Sequence, residues 1–371
     1  MQLHRWRRAV LKIGSSLVAP DGVLSTRYRL GIARFIAEAR LQNREIILVS
    51  SGAVAAGKSV LPSLAENGSK FVSGKQALAA AGQARLIMSW ATLFDFPVAQ
   101  LLLTASDLQD RKRYVNAKNT LRELLNSACL PIINENDSIV TDELKFGDND
   151  NLAAHVASLI DADLLIIGSD IGGLYEENPS KNANAKKIDC VQEINAAIYH
   201  IAGGAGSKVG TGGMYTKIQA AERATKRGIT TVIGSGKEND FFSALLDNRC
   251  IGTSFVPKGD RKTARKHWLE HHLTPEGKIF IDDGAAKALL ERGASLLPSG
   301  VKSIEGEFQQ GDAIEVVHLR ESNAVCIGKG ISQFDAAFLQ QIKGLRTEAI
   351  IPMVNGSVSD VVIHRDDLVL I

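Results

Sequence analysis

Residues 9–16, AVLKIGSS, contain the pattern that decides the fold: a short apolar segment that ends at a polar turn. The pattern returns in EIILVSSGA at 45–53, LPIINEND at 130–137 and LLIIGSD at 164–170. Segments that are apolar on both faces are typical of parallel strands covered on both sides. We therefore predict that they are strands of a buried parallel sheet.

Helical patterns alternate with these strands. The strands are predicted at Ala9–Ile13, Glu45–Ser50, Val98–Leu103, Leu130–Asn134, Leu164–Gly168 and Thr230–Gly234. The helices are predicted at Tyr28–Gln42, Lys75–Phe94, Lys112–Ser127, Asn151–Leu159 and Met214–Arg227. This alternation predicts an α/β fold with a doubly wound, mainly parallel sheet. Ligands of such sheets bind at the carboxyl ends of the strands.

The pattern changes after Val256. Because 371 residues exceed one compact core, two domains are expected. A basic, polar stretch is followed by short β segments such as KIFID at 278–282 and AIEVVHL at 313–319, with one helix at Gly284–Arg292. The predicted division is a first domain at 1–257, a linker at 258–275, a small β-rich domain at 276–354 and a C-terminal segment at 355–371 that packs on it.

Charge and composition exclude several classes of protein. The net charge of +2 gives no general field for nucleic acid or an anionic membrane. No apolar run reaches membrane length, and the apolar stretch near the N-terminus is too short for a signal peptide. The cysteines lie far apart without a C-x-x-C pair, and we predict no metal-ligating residues. A soluble, cytoplasmic protein is expected.

Polar residues follow the first two strands. Lys12 closes a buried strand, where an unpaired charge is costly, and Gly14 would let backbone N–H groups approach an anion. Ser51 and Gly52 directly follow the second strand and could bind an anion as well. A lysine that snorkels to solvent and a plain strand-to-helix turn explain the same residues without a ligand.

Amides and carboxylates form two further clusters. In NEND at 134–137, Asp137 could hold a substrate ammonium group and Asn134 a carboxylate, although a plain turn favours the same residues. GDNDNL at 147–152 opens a helix for which we predict Asp150 as the N-cap. Capping needs one such residue, so the others suit polar-ligand recognition or the organisation of catalytic lysines.

A glycine-containing segment, GTGGMYTK at 210–217, leads directly into a helix. Such a helix N-terminus exposes backbone N–H groups, and its dipole favours phosphate. Lys217 lies in the first turn, where a cation opposes the dipole. That placement is reasonable if a phosphate binds nearby.

These blocks, in this order, resemble the amino acid kinase family, and within it the enzymes that phosphorylate glutamate. The tail resembles the PUA domain of bacterial members, as in DDGAAKALLERGASLLPSGV at 282–301. The likeness covers nearly the whole chain and implies an amino acid kinase-like sheet followed by a PUA-like domain.

The resemblance also implies roles for individual residues. The implied catalytic residues are Lys12 and Lys217, which would bind the transferring phosphoryl group, and Asp150, which would orient both lysines. The implied glutamate site consists of Ser51, Gly52, Asn134, Asp137, Asp148 and Asn149. The implied nucleotide site consists of Lys12, Ser169, Asp170, Thr211, Gly212, Gly213, Met214, Tyr215, Thr216 and Lys217. Tyr215 and Ser169 depart from the more usual small residue and threonine, which puts nucleotide affinity in question.

The implied reaction uses ATP with Mg²⁺ and L-glutamate, and it yields L-glutamyl 5-phosphate, the first intermediate toward proline. A carboxylate is already a nucleophile, so catalysis needs positioning and charge neutralisation rather than a strong base. The resemblance further implies feedback inhibition by proline and a homo-oligomer, either a dimer or a tetramer. Apart from the resemblance, we expect no membrane partner, and the near-neutral charge disfavours a nucleic-acid partner.

Three other interpretations stay open. Residues 52–59, GAVAAGKS, match the P-loop pattern G-x-x-x-x-G-K-S after a strand, although Pro62 would break the helix that a P-loop needs. An N-acetylglutamate kinase is the nearest enzymatic alternative, but it would not be expected to carry a PUA tail. An RNA-binding PUA protein is a third possibility, which the near-neutral charge disfavours.

Overall fold

The computed structural model describes residues 1–67, 71–140, 148–182, 184–203, 213–257, 259, 275–320, 323–350, 353 and 360–370. The chain divides into two compact units. The first unit consists of Met1–Leu108 and Leu121–Arg261, and the second of Gln109–Thr120 and Lys262–Ile371. The second unit therefore includes a short segment that lies inside the predicted first domain.

The first unit is built on an eight-stranded sheet with the order β3-β4-β2-β1-β5-β9-β10-β8. Every neighbouring pair in it is parallel except β9 and β10. The predicted doubly wound, mainly parallel α/β fold is confirmed. A separate antiparallel pair, β6 and β7, lies outside this sheet. The strands are β1 (Arg8–Ile13), β2 (Glu45–Ser50), β3 (Val98–Leu103), β4 (Leu130–Glu135), β5 (Leu164–Ser169), β6 (Leu174–Tyr175), β7 (Lys187–Ile188), β8 (Cys190–Val191), β9 (Thr230–Ser235) and β10 (Thr253–Phe255).

Helices connect the strands of this sheet. They are α1 (Ser15–Val18), α2 (Arg29–Leu41), α3 (Ala53–Val60), α4 (Pro62–Asn67), α5 (Val72–Ala91), α6 (Ala105–Gln109), α7 (Arg111–Asn126), α8 (Asn149–Leu159), α9 (Ala196–Ile201), α10 (Met214–Thr225) and α11 (Asn239–Leu246). Helix α7 belongs to both units, because the boundary between them falls after Thr120. Among the described residues, no helix is long and apolar enough to cross a membrane.

Strand register brings the candidate residues to one edge of the sheet. Ile13 at the end of β1 pairs with Ser50 of β2 and with Gly168 of β5. Ser169 pairs with Ser235 one step further along. Strands β1, β2, β4 and β5 are almost fully buried, so the polar side chains at their carboxyl ends mark where the apolar layer stops.

The second unit has its own five-stranded sheet with the order β12-β11-β13-β14-β15. Its strands are β11 (Gly277–Ile281), β12 (Val301–Glu305), β13 (Ala313–Arg320), β14 (Asn323–Ile331) and β15 (Leu368–Leu370), and its helices are α12 (Asp283–Arg292), α13 (Ala336–Ile342) and α14 (Thr347–Ile350). Ile279, Phe308 and Val316 lie in its buried apolar core. The C-terminal strand β15 pairs with β14 in this sheet.

Buried polar contacts join the segment Gln109–Thr120 to the rest of the second unit. Lys118 Nζ lies 2.5 Å from an Asp367 carboxylate oxygen, and both side chains are buried. Asn119 Nδ2 donates to Gln333 Oε1 at 2.8 Å, again between buried side chains. These contacts explain why the first turns of α7 belong to this unit.

Candidate active site

Two lysines and one carboxylate form a buried cluster at the edge of the large sheet. Lys12 Nζ lies 2.6 Å from Asp150 Oδ1, and Lys217 Nζ lies 3.0 Å from Asp150 Oδ2. The relative exposures of Lys12, Asp150 and Lys217 are 4%, 0% and 5%. Thr216 adds a hydroxyl that donates to Asp150 Oδ2 at 3.2 Å.

Three different elements supply this cluster. Lys12 is the penultimate residue of β1, Asp150 lies in the first turn of α8, and Lys217 lies in the first turn of α10. The prediction that Asp150 caps its helix is wrong. Asp148 is the N-cap, because its side chain accepts hydrogen bonds from the backbone N–H groups of Asp150 and Asn151. This frees the Asp150 side chain to point at the lysines.

Burial and charge set the ionisation of the two aspartates in opposite directions. Burial by itself would raise the pKa of Asp150, but the charges of Lys12 and Lys217 outweigh it and hold that pKa below its ordinary value. Burial, followed by the charge of Asp150, raises the pKa of Asp148. Asp150 is therefore an anion between two cations, and the cluster of three keeps one net positive charge.

A chain of hydroxyl and amide groups lies beside the lysine cluster. Asn149 Nδ2 donates to Ser51 Oγ at 2.7 Å and to Asn134 Oδ1 at 2.9 Å. Asn134 Nδ2 in turn donates to Gln83 Oε1 at 2.9 Å. Asn149 Oδ1 is buried, and no hydrogen-bond partner for it exists among the described residues. This oxygen is an acceptor that could receive an N–H from a bound molecule.

Gln83 was not predicted from the sequence. It lies within α5, which is a long alanine-rich helix without a polar motif. Gly52 was predicted, and the structure gives a steric reason for a glycine there. Its φ is +116°, and a Cβ atom would lie 2.9 Å from Val18 Cγ1. A glycine allows the sharp turn between Ser51 and the start of α3.

The remaining predicted residues lie at the same edge or near it. Asp137 is half-buried in the turn after β4, where its N–H donates to Glu135 O. Ser169 ends β5, and its hydroxyl donates to Asp170 Oδ1 at 3.2 Å. Gly213 is the N-cap of α10, and Met214 and Tyr215 are half-buried in its first turn. Thr211 and Gly212 lie outside the described residues.

The P-loop interpretation of residues 52–59 is wrong. Helix α3 begins at Ala53, so Lys58 lies exposed in its last turn rather than at a helix N-terminus. Gly57 serves helix packing, because a Cβ atom there would lie 1.9 Å from the backbone oxygen of Leu78 in α5. Pro62 then begins a new helix, α4.

Comparisons with known proteins show what the chain is similar to. The amino acid kinase family matches residues 7–235, and the PUA domain matches residues 277–353. Glutamate 5-kinase of Idiomarina loihiensis is 49% identical over 372 residues, which cover 100% of this chain and 99% of the relative. Glutamate 5-kinase of Salinibacter ruber is 49% identical over 375 residues, which cover 99% of this chain and 98% of that relative.

A solved structure shows the same fold at low sequence identity. Carbamate kinase from Giardia lamblia, solved bound to AMP-PNP, aligns with a TM-score of 0.50 and 18% identity. The alignment covers 68% of this chain and 99% of the carbamate kinase. At this level of identity the comparison bears on the fold alone.

Proposed function

The chain belongs to the amino acid kinase family, and from this membership we propose that it transfers the γ-phosphoryl group of ATP to the side-chain carboxylate of L-glutamate. The product would be L-glutamyl 5-phosphate, an intermediate toward proline. The predicted resemblance to the family and to the PUA domain is confirmed. The observation that carries the proposal is the buried cluster of Lys12, Asp150 and Lys217.

The lysine cluster suits phosphoryl transfer to a carboxylate. In the transition state, negative charge is spread over the oxygens of the transferring group, and fixed cations stabilise it. Lys12 and Lys217 supply two such cations, and Asp150 holds both of them in place. One oxygen of the acceptor carboxylate attacks phosphorus and ADP leaves with the bond electrons. Because that carboxylate is already ionised, the step needs no general base.

The amide chain suits the polar end of the acceptor. We propose that Ser51, Gly52, Asn134, Asp137, Asp148 and Asn149 form the glutamate site. Asn149 Oδ1 could accept an N–H of the substrate ammonium group, since it has no partner among the described residues. Asp137 would add a carboxylate for the same ammonium. Both groups are acceptors, and an ammonium group offers three donors.

The nucleotide would bind at the other side of the lysine cluster. We propose that Ser169 and Asp170 contact it, together with Thr211, Gly212, Gly213, Met214, Tyr215, Thr216 and Lys217. The described residues contain no group of three or more His, Cys, Asp or Glu side chains placed to hold a metal. Mg²⁺ is therefore proposed to arrive as MgATP, held mainly by the phosphates, as is usual for this ion.

Three further properties belong to the proposal and rest on family membership. They are feedback inhibition by proline, assembly into a homo-oligomer and a cytoplasmic location, where both substrates occur. Titration of the enzyme with proline and light scattering of the purified chain would test the first two.

The test of the proposed reaction uses four acceptors. The full chain is incubated with MgATP and either glutamate, N-acetylglutamate, aspartate or carbamate, and hydroxylamine traps any acyl phosphate as a hydroxamate. We expect ADP and hydroxamate in equal amounts with glutamate and far less with the other acceptors. Preference for N-acetylglutamate, or ADP release that does not depend on an acceptor, would contradict the proposal.

A further inference from the structure

Tyr199 connects the short helix α9 to helix α10. Its ring packs against the ring of Tyr215, with centroids 5.2 Å apart and planes inclined at 52°. Its hydroxyl donates a short hydrogen bond to Glu222 Oε2. Glu222 also pairs with Lys226 at 2.7 Å on the outer surface of the helix.

The two contacts of Tyr199 lie on one face of α10. Tyr215 and Glu222 are seven residues apart, which is two helical turns, so their side chains point in the same direction. The neighbouring face carries the buried residues Ala220, Ala221 and Ala224. Tyr199 therefore contacts the helix at both its first turn and its third, which fixes its position along the axis and its rotation about it.

The hydrogen bond between Tyr199 and Glu222 is between a neutral donor and an anion. Burial, and next the bond to Glu222, raises the pKa of the Tyr199 phenol, so the hydroxyl keeps its proton. Hydrogen bonds to Lys226 and then to Tyr199 lower the pKa of Glu222. Hydrogen bonds with an ionised partner are stronger than neutral ones, which makes this contact a firm one.

We infer that Tyr199, acting through Tyr215 and Glu222, is a positioning residue for the nucleotide side of the active site. The inference rests on the proposed function, in which the first turn of α10 binds the phosphates of MgATP. Thr216 and Lys217 directly follow Tyr215 in that turn, and both reach Asp150. Tyr215, which stands where the family resemblance implies a smaller residue, is thus one half of an aromatic pair.

Removing Tyr199 should therefore weaken nucleotide binding and leave glutamate binding unchanged. Without Tyr199, the first turn of α10 loses its ring contact and the third turn loses a hydrogen bond. Part of the phosphate-binding geometry is then no longer preorganised. The proposed glutamate site lies just after β2, at the end of β4 and at the start of α8, and the hydrogen bonds among its residues do not involve α9. Nucleotide affinity should fall while glutamate affinity does not change.

The experiment measures binding of AMP-PNP with Mg²⁺ to the full chain by calorimetry, which does not depend on any acceptor. For Tyr199→Phe, which keeps the ring pair, we expect a Kd about threefold weaker. For Tyr199→Ala we expect a Kd about tenfold weaker. This is the scale of losing one hydrogen bond to a charged group and one aromatic pair when only part of that loss affects nucleotide binding. The KM for glutamate should stay within about twofold of wild type, the size of a 0.4 kcal/mol change in free energy.

Two further sets of variants make the test specific. Glu222→Ala should weaken binding as much as Tyr199→Phe does, and the double variant should be no worse than either, because both remove one bond. Lys226→Met removes the other partner of Glu222, and Tyr28→Phe removes a hydroxyl at the N-cap position of α2. Both variants should bind AMP-PNP like wild type.

Two results would overturn the inference. One is a Kd of folded Tyr199→Ala equal to that of wild type. The other is an equal loss of affinity for nucleotide and glutamate together with a lowered Tm, since this would show a role in stability only. If the wild type binds AMP-PNP and responds to these substitutions but makes no hydroxamate from glutamate, the proposed reaction fails and the positioning role stands.

Discussion

At the scale of single residues, Asp148 and Asp150 show how two neighbouring carboxylates acquire different roles. Asp148 stands before the helix and satisfies backbone N–H groups of the first turn. Asp150 is inside the helix and faces the sheet, where it meets Lys12 and Lys217. Lys217 lies in the first turn of α10, where its positive charge is unfavourable next to the positive end of the helix dipole. The negative charge of Asp150 offsets this unfavourable interaction.

The first prediction concerns Lys217. Replacing it with alanine removes one of two cations proposed to stabilise the phosphoryl group, and kcat should fall at least ~10²-fold, the scale for one preorganised group. Steady-state kinetics with saturating MgATP and glutamate measures this.

The matched control is Lys58→Ala, which changes an exposed lysine in the former P-loop match. Its kcat should stay within about threefold of wild type, roughly 0.7 kcal/mol in barrier. If Lys58→Ala is the inactive variant and Lys217→Ala the active one, the assigned site is wrong.

The second prediction concerns His155 on α8. Burial, with help from the charges of Arg223 and Arg227, lowers its pKa from 6.5 to about 4. Between these two pH values the unfolded chain binds a proton that the folded chain does not. The contribution of this group to the free energy of unfolding is therefore fully present above pH 6.5. It is lost as the pH falls toward 4, and the loss is at most about 3 kcal/mol.

Urea unfolding at pH 7 and pH 4.5 checks this effect. His155→Gln should lose less stability between the two pH values than wild type does, because glutamine does not titrate. His4→Gln, which changes an exposed histidine, should match wild type. Equal losses for wild type and His155→Gln would show that His155 does not contribute to the acid sensitivity.

At the scale of elements, the apolar strands were predictable and the packing between elements was not. The predicted strands Glu45–Ser50 and Val98–Leu103 match β2 and β3 to the residue, because their apolar runs stop at polar turns. Strand β10 was missed, since three residues carry little pattern and its antiparallel pairing with β9 depends on tertiary contacts. Gln83 and the role of Gly57 were missed for the same reason, as both depend on where α5 lies.

The third prediction tests the packing of α3 against α5. Gly57→Ala would place a Cβ atom 1.9 Å from Leu78 O, so one helix must move. Overpacking of this kind costs about 1–3 kcal/mol, more than the helix propensity gained by alanine. Because α3 begins two residues after Ser51, the KM for glutamate should rise as well. Urea unfolding and kinetics measure the two effects.

Gly284 provides the control for that substitution. It lies in α12, where the nearest atom to an added Cβ, an Asp282 oxygen, is 3.4 Å away. Gly284→Ala should leave stability unchanged or raise it, by up to ~1 kcal/mol. Wild-type stability in Gly57→Ala would mean that α3 and α5 can separate without cost.

At the scale of the whole molecule, the second unit is made from two distant parts of the chain. The sequence marks the change of pattern after Val256 but gives no sign that residues 109–120 belong with the tail. Residues 111–120 lie in the amphipathic helix α7. Tertiary contacts reveal their assignment, among them those of Lys118 and Asn119 and the ion pair of Arg111 with Asp312. Strand pattern predicts a domain boundary along the chain, whereas it cannot predict which surface helix a second unit incorporates.

The fourth prediction concerns Asp367, the buried partner of Lys118. Asp367→Ala leaves the lysine charge buried without that carboxylate, and breaking a buried pair in this way costs about 3–5 kcal/mol. The second unit should therefore unfold at clearly lower urea concentration. Asp366→Ala, at the neighbouring and more exposed carboxylate, should have a much smaller effect. Equal midpoints for the two variants would mean that the buried pair adds no stability.

The fifth prediction concerns a chain that ends at Pro257. This truncation removes Asp367 and Gln333 with their surroundings, so Lys118 can return to water instead of keeping a buried charge. All strands of the large sheet and every proposed active-site residue precede Pro257. We therefore expect a folded chain that still produces hydroxamate from glutamate, measured by circular dichroism and the trapping assay. The same truncation carrying Lys118→Ala and Asn119→Ala is the control, and it should fold and react like the truncation without them. An insoluble or inactive truncation would show that the first unit cannot fold without the tail.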